Sequence, residues 1–223
     1  MALAQMGHPT LCLDCDVGLR NLDIAMAMTD SAVMDFTDVM AGRCTLEEAA
    51  ARHPRQKNLY LLTAPARSGA AEIDREAFRA LFPEIQSRFR YCLVDAPAGL
   101  GAGFRLALAG ADRAVGVTTT DASSLRDAQR TVMELEDLER GKVHLVVNRC
   151  KKKLLKSLHQ TIDDAIDTAG LPLLGVVPED ETMPLFAGRG SPLLLTTNDY
   201  AAQAYRHIAR RIDGQRAQLI KIR

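Results

Sequence analysis

Leu11-Cys-Leu-Asp14-Cys-Asp16-Val-Gly18-Leu-Arg20-Asn21-Leu-Asp23 changes character at its fourth residue. Up to Leu13 the run is uncharged and rich in apolar side chains; from Asp14 it carries two carboxylates one residue apart, then a glycine. A short apolar run closed by turn residues predicts a strand buried on both faces. Carboxylates just past the carboxyl end of such a strand lie where open α/β sheets bind ligands. There they can hold Mg²⁺ through water or orient an attacking water. A polar loop capping the next helix uses the same residue types, so both readings stand at this point.

Working outward, apolar runs alternate with helical patterns along nearly the whole chain, which is how a mostly parallel α/β sheet is written. Strands are expected over 10–13, 59–63, 91–94, 114–118, 143–147 and 173–177. Thr45-Leu-Glu-Glu48 is a capping box that opens a helix to about residue 52. Further helices are expected over 74–89 with a break at Pro83, over 123–140, over 154–169 with Gly170 as the stop, and over 199–212 before Gly214. With no repeat and no linker, residues 1–214 are expected to form one domain and 215–223 a short basic and apolar tail. Residues 1–7 have the pattern of a helix tail with a glycine stop. A parallel crossover needs a strand ahead of such a helix.

Composition removes several classes. Lys plus Arg and Asp plus Glu number 28 each, so the global basic footprint of a nucleic-acid binder is missing. Aromatics are 4% with no Trp, which argues against stacking platforms for bases. No apolar run approaches the ~18 residues of a spanning helix. The first residues lack a secretory pattern, and five scattered Cys do not make a disulfide framework, so a reducing cytoplasm is expected.

Three further stretches end apolar runs in polar turns. Tyr91-Cys-Leu-Val-Asp95-Ala-Pro97-Ala-Gly99 has the Walker B form, an Asp that meets the Mg²⁺ shell of a bound nucleotide, followed by a defined turn. Leu145-Val-Val-Asn148-Arg149 offers an amide with both a donor and an acceptor, suited to an adenine edge. Gly175-Val-Val-Pro178-Glu179-Asp180 supplies a rigid polar turn. Other patterns carry less. Cys12 and Cys15 have no second pair and start on opposite strand faces, so they are expected to be buried thiols. Asp14-x-Asp16-x-Gly18 lacks the rest of a calcium loop. The five His show no metal spacing, and Lys151-Lys-Lys153 fits a solvated loop better than a phosphate or headgroup contact.

The stretch Asp14 to Asp23 resembles the signature of the ParA/MinD family of P-loop ATPases, in its septum-site-determining branch. Matches follow in the family's order: Asn58-Leu-Tyr-Leu-Leu62, Val94-Asp-Ala-Pro-Ala-Gly99, Ser123-Ser-Leu-Arg-Asp127, Val147-Asn-Arg149 and Val176-Val-Pro-Glu-Asp180. The resemblance implies a doubly wound, mostly parallel sheet with helices on both faces. It implies ATP and Mg²⁺, with Asp16 at the attacking water and Asp14 and Asp95 at the metal, partly through water. Asn148, Arg149, Pro178 and Glu179 would hold the nucleotide. It also implies an ATP-dependent homodimer, a weak contact with the anionic inner face of the cell membrane, and recruitment of a division inhibitor of the Min system.

The family opens on a strand and a Lys-Gly-Gly-x-Gly-Lys-Thr loop, and these 223 residues contain no such motif. Gly99-Leu-Gly101-Ala-Gly103 lacks the Lys-Ser/Thr and is not a substitute. We therefore expect one strand and most of one helix to be missing ahead of Met1, and the chain by itself to be inactive. Two other readings follow: a scaffold that binds division partners without hydrolysis, and a sister ATPase placing flagella or DNA. A haloacid-dehalogenase-type phosphotransferase, with Asp14 as nucleophile and Asp16 as acid, fits the first motif but not the downstream order. The 123–140 helix is expected to face a partner, and the tail to bind membrane weakly.

Overall fold

The computed structural model describes residues 1–29, 31, 33–66, 69–136, 138–139, 141–151, 162–183, 194, 197, 199–220 and 222. The chain divides into two compact units, Met1–Ala111 with Pro184–Thr196, and Asp112–Met183 with Thr197–Arg223.

In the first unit, α1 (Ala2–Gln5) leads to β1 (Thr10–Asp14), and all five β1 residues are buried. The strand is central in a sheet of order β2-β3-β1-β4, formed with β2 (Ala51–Arg52), β3 (Leu59–Leu62) and β4 (Tyr91–Asp95). β3 and β4 run parallel to β1, while β2 is antiparallel to β3. Successive side chains of a strand point to opposite faces, and here both faces are covered. Leu11 and Leu13 join a cluster with Phe36, Phe78, Phe82 and Ile85. Cys12 joins a second cluster with Met26, Met28, Leu59 and Leu61. That two-sided burial is why the run has no polar alternation.

Short helices punctuate this unit: α2 (Leu22–Met26), α3 (Phe36–Met40), α4 (Leu46–Ala49), α5 (Arg75–Arg79), α6 (Phe82–Arg88) and α7 (Ala102–Leu108). The Thr45 capping box opens α4 as expected. The helix ends at Ala49 rather than near residue 52, because Ala51 and Arg52 pair with Leu61 and Tyr60. Asp74 caps α5, accepting from Glu76 and Ala77 N–H. The 74–89 pattern breaks ahead of Pro83, which sits in the first turn of α6, where its missing N–H does no harm.

In the second unit, β5 (Ala114–Thr118), β6 (Val143–Cys150) and β7 (Leu173–Pro178) form a parallel sheet in that order. Helix α8 (Ala122–Met133) begins at Asp121, whose carboxylate accepts from Ser124 N–H and from the hydroxyls of Thr119, Ser123 and Ser124. These donors hold the Asp121 carboxyl well below the usual carboxylate range. The helix ends at Met133, short of residue 140. Helix α9 (Ile162–Ala169) runs to Gly170, which adopts φ +66° as a left-handed stop. The first part of the expected 154–169 helix lies outside the described residues. Helix α10 (Tyr200–Ile212) lies against β7 so closely that a Cβ at Gly175 would fall 2.3 Å from Ile208 Cγ1. The tail is not helical over 215–220. Arg211 Nε donates to Ala217 O at 3.0 Å, and His207 Nδ1 to Gln218 O at 2.8 Å.

Each sheet ends in an apolar strand with one neighbour. Leu93 on β4 is 40% exposed, and Val117 on β5 is 64% exposed.

Candidate functional site

Asp14 is the last residue of β1 and is 1% exposed. Its Oδ1 accepts Asp16 N–H at 2.8 Å and its Oδ2 accepts Leu22 N–H at 3.4 Å, so the carboxylate ties the loop to the start of α2. Asp95, the last residue of β4, is its neighbour in register. Cys15 N–H donates to Asp95 O at 2.9 Å, carrying the β1–β4 ladder one bond beyond the strands. Asp16 opens a turn in which its carbonyl accepts from Leu19 and Arg20 N–H, with Gly18 and Arg20 at positive φ.

Burial pushes the Asp14 carboxyl up, the two backbone donors work against that, and the charges of Asp16 and Asp23 add to it. Asp95 is pushed up first by desolvation, then by Asp14 and Asp16. Among the described residues none of the three aspartates makes an ion pair. Nor, among those residues, do three His, Cys, Asp or Glu side chains close around one point. Two carboxylates at neighbouring strand ends are a donor set that fits Mg²⁺, which keeps several waters and takes one or two carboxylates plus substrate phosphates. Asp14 and Asp95 thus lie side by side at neighbouring strand ends, with Asp16 two residues beyond Asp14.

The turn after Asp95 is held by a contact that sequence reasoning missed. A Cβ at Gly103 would fall 2.6 Å from Pro97 Cγ and 3.5 Å from Cys15 O, so glycine there lets α7 lie against the turn. Cys12 and Cys15 are buried free thiols, both pushed up by desolvation.

A stability consequence follows for the carboxylates. A carboxyl raised by folding stabilises the fold fully below the ordinary carboxylate range, and that contribution is lost as pH climbs through the raised value. Asp95→Asn is therefore expected to raise the Tm at neutral pH without Mg²⁺, by a small amount because Asp95 is exposed and its charge is screened by solvent. The gap should close as the pH is lowered to about 4, near the ordinary carboxylate pKa. A Tm equal to wild type at neutral pH would refute this.

In the second unit, β6 runs through Asn148 and Arg149 to Cys150, three residues beyond the expected end, with an irregular register between Val147 and Cys150. Arg149 adopts φ +54°. Its guanidinium grips Glu179 through Nε–Oε2 at 2.9 Å and Nη2–Oε1 at 3.2 Å. Arg149 holds the Glu179 carboxyl low. Pro178 pairs in register with Cys150, and Glu179 N–H donates to Cys150 O at 3.1 Å. The four residues expected at the nucleotide therefore meet at one sheet end. Asn148 Oδ1 accepts Arg149 N–H at 2.9 Å, so one acceptor lone pair of that amide is already used.

The CobQ/CobB/MinD/ParA nucleotide binding domain family matches residues 1–193. The chain belongs to that family. Within it, the similarity is to MinD septum site-determining proteins. The one from Synechocystis is 36% identical over 217 residues, covering 96% of this chain and 81% of that protein. The one from Bacillus subtilis is 35% identical over 221 residues, covering 98% and 82%. Among solved structures, the MinC:MinD cell division protein complex of Aquifex aeolicus matches at TM-score 0.90 and 33% identity, over 100% of this chain and 90% of that one. MinD of Pyrococcus horikoshii complexed with Mg-ADP matches at TM-score 0.79 and 26% identity, over 95% and 86%. The MinD/ParA resemblance and the P-loop NTPase-like fold expected from the sequence are both borne out, and septum site determination is the function of the MinD relatives.

Proposed function

We propose that this MinD/ParA-family chain serves septum placement as a MinD-type ATPase domain that takes ATP with Mg²⁺. The observation that carries the reading is the register pair Asp14 and Asp95 at the ends of adjacent parallel strands, with Asp16 two residues on. When bound, Mg²⁺ would supply charge neutralisation of the transferring phosphates. Asp14 and Asp95 would hold it, partly through water, Asp16 would orient the attacking water, and Asn148, Arg149, Pro178 and Glu179 would flank the nucleotide.

Residues 1–214 act as one nucleotide-binding domain, which dimerises with ATP and recruits a division inhibitor. Its partner-facing surface is the polar side of α8, with Arg126, Asp127 and Arg130, and Glu134 just past its end, suited to steering and register. Asp137 of that expected face lies outside the described residues. Among the described residues no helix is long and apolar enough to cross a membrane. Membrane contact is assigned to the tail, with Leu219 and Ile220 against an anionic inner surface and Arg216 beside them.

The experiment is size-exclusion chromatography with light scattering. It compares residues 1–223 with the same chain preceded by the strand and Lys-Gly-Gly-x-Gly-Lys-Thr loop of a MinD relative. The fused chain is expected to dimerise with ATP and Mg²⁺ and to stay monomeric with ADP. The 223-residue chain alone is expected not to turn ATP over, because it carries no lysine loop for the β- and γ-phosphates. A fused chain that ignores ATP defeats the reading.

A further inference from the structure

His53 follows β2 and is 2% exposed. Both of its ring nitrogens are engaged. Nδ1 accepts Arg55 N–H at 3.0 Å, and Nε2 lies 3.1 Å from Met26 O, across 27 residues of sequence. An N–H can only donate and a carbonyl only accept, so the ring is neutral with its proton on Nε2. The Nδ1 bond closes the turn after β2. The Nε2 bond reaches a different element, the last residue of α2.

At the other end of α2, Leu22 N–H donates to Asp14 Oδ2. The helix is thus held by a carboxylate of the candidate site at its start and by an imidazole at its finish. Five residues do not hold a helix in water without help. Ala27, just past the tie, takes φ +56° and turns the chain so that Met28 packs beside Cys12, Leu59 and Leu61. The tie therefore fixes where the carboxylate loop ends.

We propose that His53 is the positioning residue for the loop between Asp14 and Met26, setting the placement of α2 through its Nε2 proton. The functional meaning of the tie rests on the reading of Asp14 and Asp16 as Mg²⁺·nucleotide groups; the tie itself does not. A protonated ring would present N–H to Arg55 N–H and lose the turn. Burial holds the imidazole below the usual histidine range; the Met26 carbonyl opposes this, and Arg55 and the Met1 amino group reinforce it. A lowered pKa means that the Nδ1 bond to Arg55 N–H is intact above the ordinary histidine range and is lost as pH falls through the lowered value, while Nε2–H goes on donating to Met26 O.

Amide hydrogen exchange on the 223-residue chain, followed by mass spectrometry, tests this without nucleotide. His53→Asn keeps an acceptor at the Nδ1 position but falls short of Met26. It is expected to raise exchange over 22–28 roughly tenfold relative to 10–13, as for release of a local unit. His53→Gln carries an amide N–H to the Nε2 position and is expected to stay near wild type over 22–28. In wild type, exchange over 53–55, corrected for its intrinsic pH dependence, should rise as pH falls below the ordinary histidine range, while exchange over 22–28 stays level. In His53→Gln that rise should be absent. Wild-type exchange over 22–28 in His53→Asn, equal loosening in His53→Gln, or an equal rise over 10–13 would each overturn the proposal. Nucleotide plays no part here, so failure of the tie is distinct from failure of the ATPase reading.

Discussion

Gly110→Ala is expected to destabilise the protein by about 2–3 kcal/mol, at the upper end of overpacking effects. A Cβ at that position would fall 2.0, 2.1 and 2.3 Å from three ring atoms of Phe82. The ring is 6% exposed and sits edge-on to Phe78 with centroids 5.4 Å apart, so it has no free space to enter. Phe78 is itself packed edge-on to Phe36, which carries the strain across the first unit's core. Urea unfolding would read the change as a midpoint lowered by about 1 M at an ordinary m-value. Phe82→Leu removes the clashing ring edge, so in the Gly110→Ala background it should cost at least ~1 kcal/mol less than it does alone. A midpoint unchanged by Gly110→Ala, or strict additivity of the two substitutions, would disprove the contact.

The second large effect concerns chemistry. In the chain fused to a lysine-loop segment, Asp16→Ala is expected to lower ATP turnover about 10²–10⁴-fold, the range for a positioned proton-transfer or water-orienting group. Mg²⁺·ATP binding should change little, because Asp16 is assigned to the water and not to the metal. Asp95→Ala is expected to behave differently, weakening the Mg²⁺-dependent part of binding as well as turnover. The two proposed roles fall on different positions: Asp14 and Asp95 are register neighbours, while Asp16 lies beyond the strand in a turn closed by Leu19 and Arg20 N–H. Single-turnover kinetics with equilibrium binding would distinguish them. Equal loss of affinity in both variants would remove Asp16 from the assigned place.

Much of this arrangement is written in local sequence. Strands such as Thr10–Asp14 and Leu59–Leu62 are legible because burial on both faces demands unbroken apolar runs. The aspartates at their ends are legible because charge can follow such a run only where the strand emerges. Helix α3 is hidden because its capping box uses Asp35 and Asp38 in place of Ser or Thr with Glu. β2 is hidden because Ala51 and Arg52 have no strand preference of their own and take their register from β3. Gly103 and His53 are illegible for a different reason. What makes each matter is a contact that only the folded chain creates: Pro97 Cγ, brought within 2.6 Å of a Cβ at Gly103 by the turn after Asp95, and Met26 O, 27 residues from His53 in sequence. The adenine-edge expectation for Asn148 could not foresee that Arg149 would turn left-handed and take up one lone pair of the amide oxygen.

The central place of β1 also has a consequence in time. Thr10 pairs with Leu59 on one side and with Tyr91 on the other. On a ribosome adding about 5–20 residues per second, the second partner is synthesised roughly 4–16 s after the first strand. Leu11 and Leu13 are fully buried in the finished fold and have at most one of these two partners during that interval. Local contacts cannot shelter them, because parallel pairing brings no hairpin. β1 is thus made well before both of these partners are in place, which makes it a segment that a holding chaperone would meet.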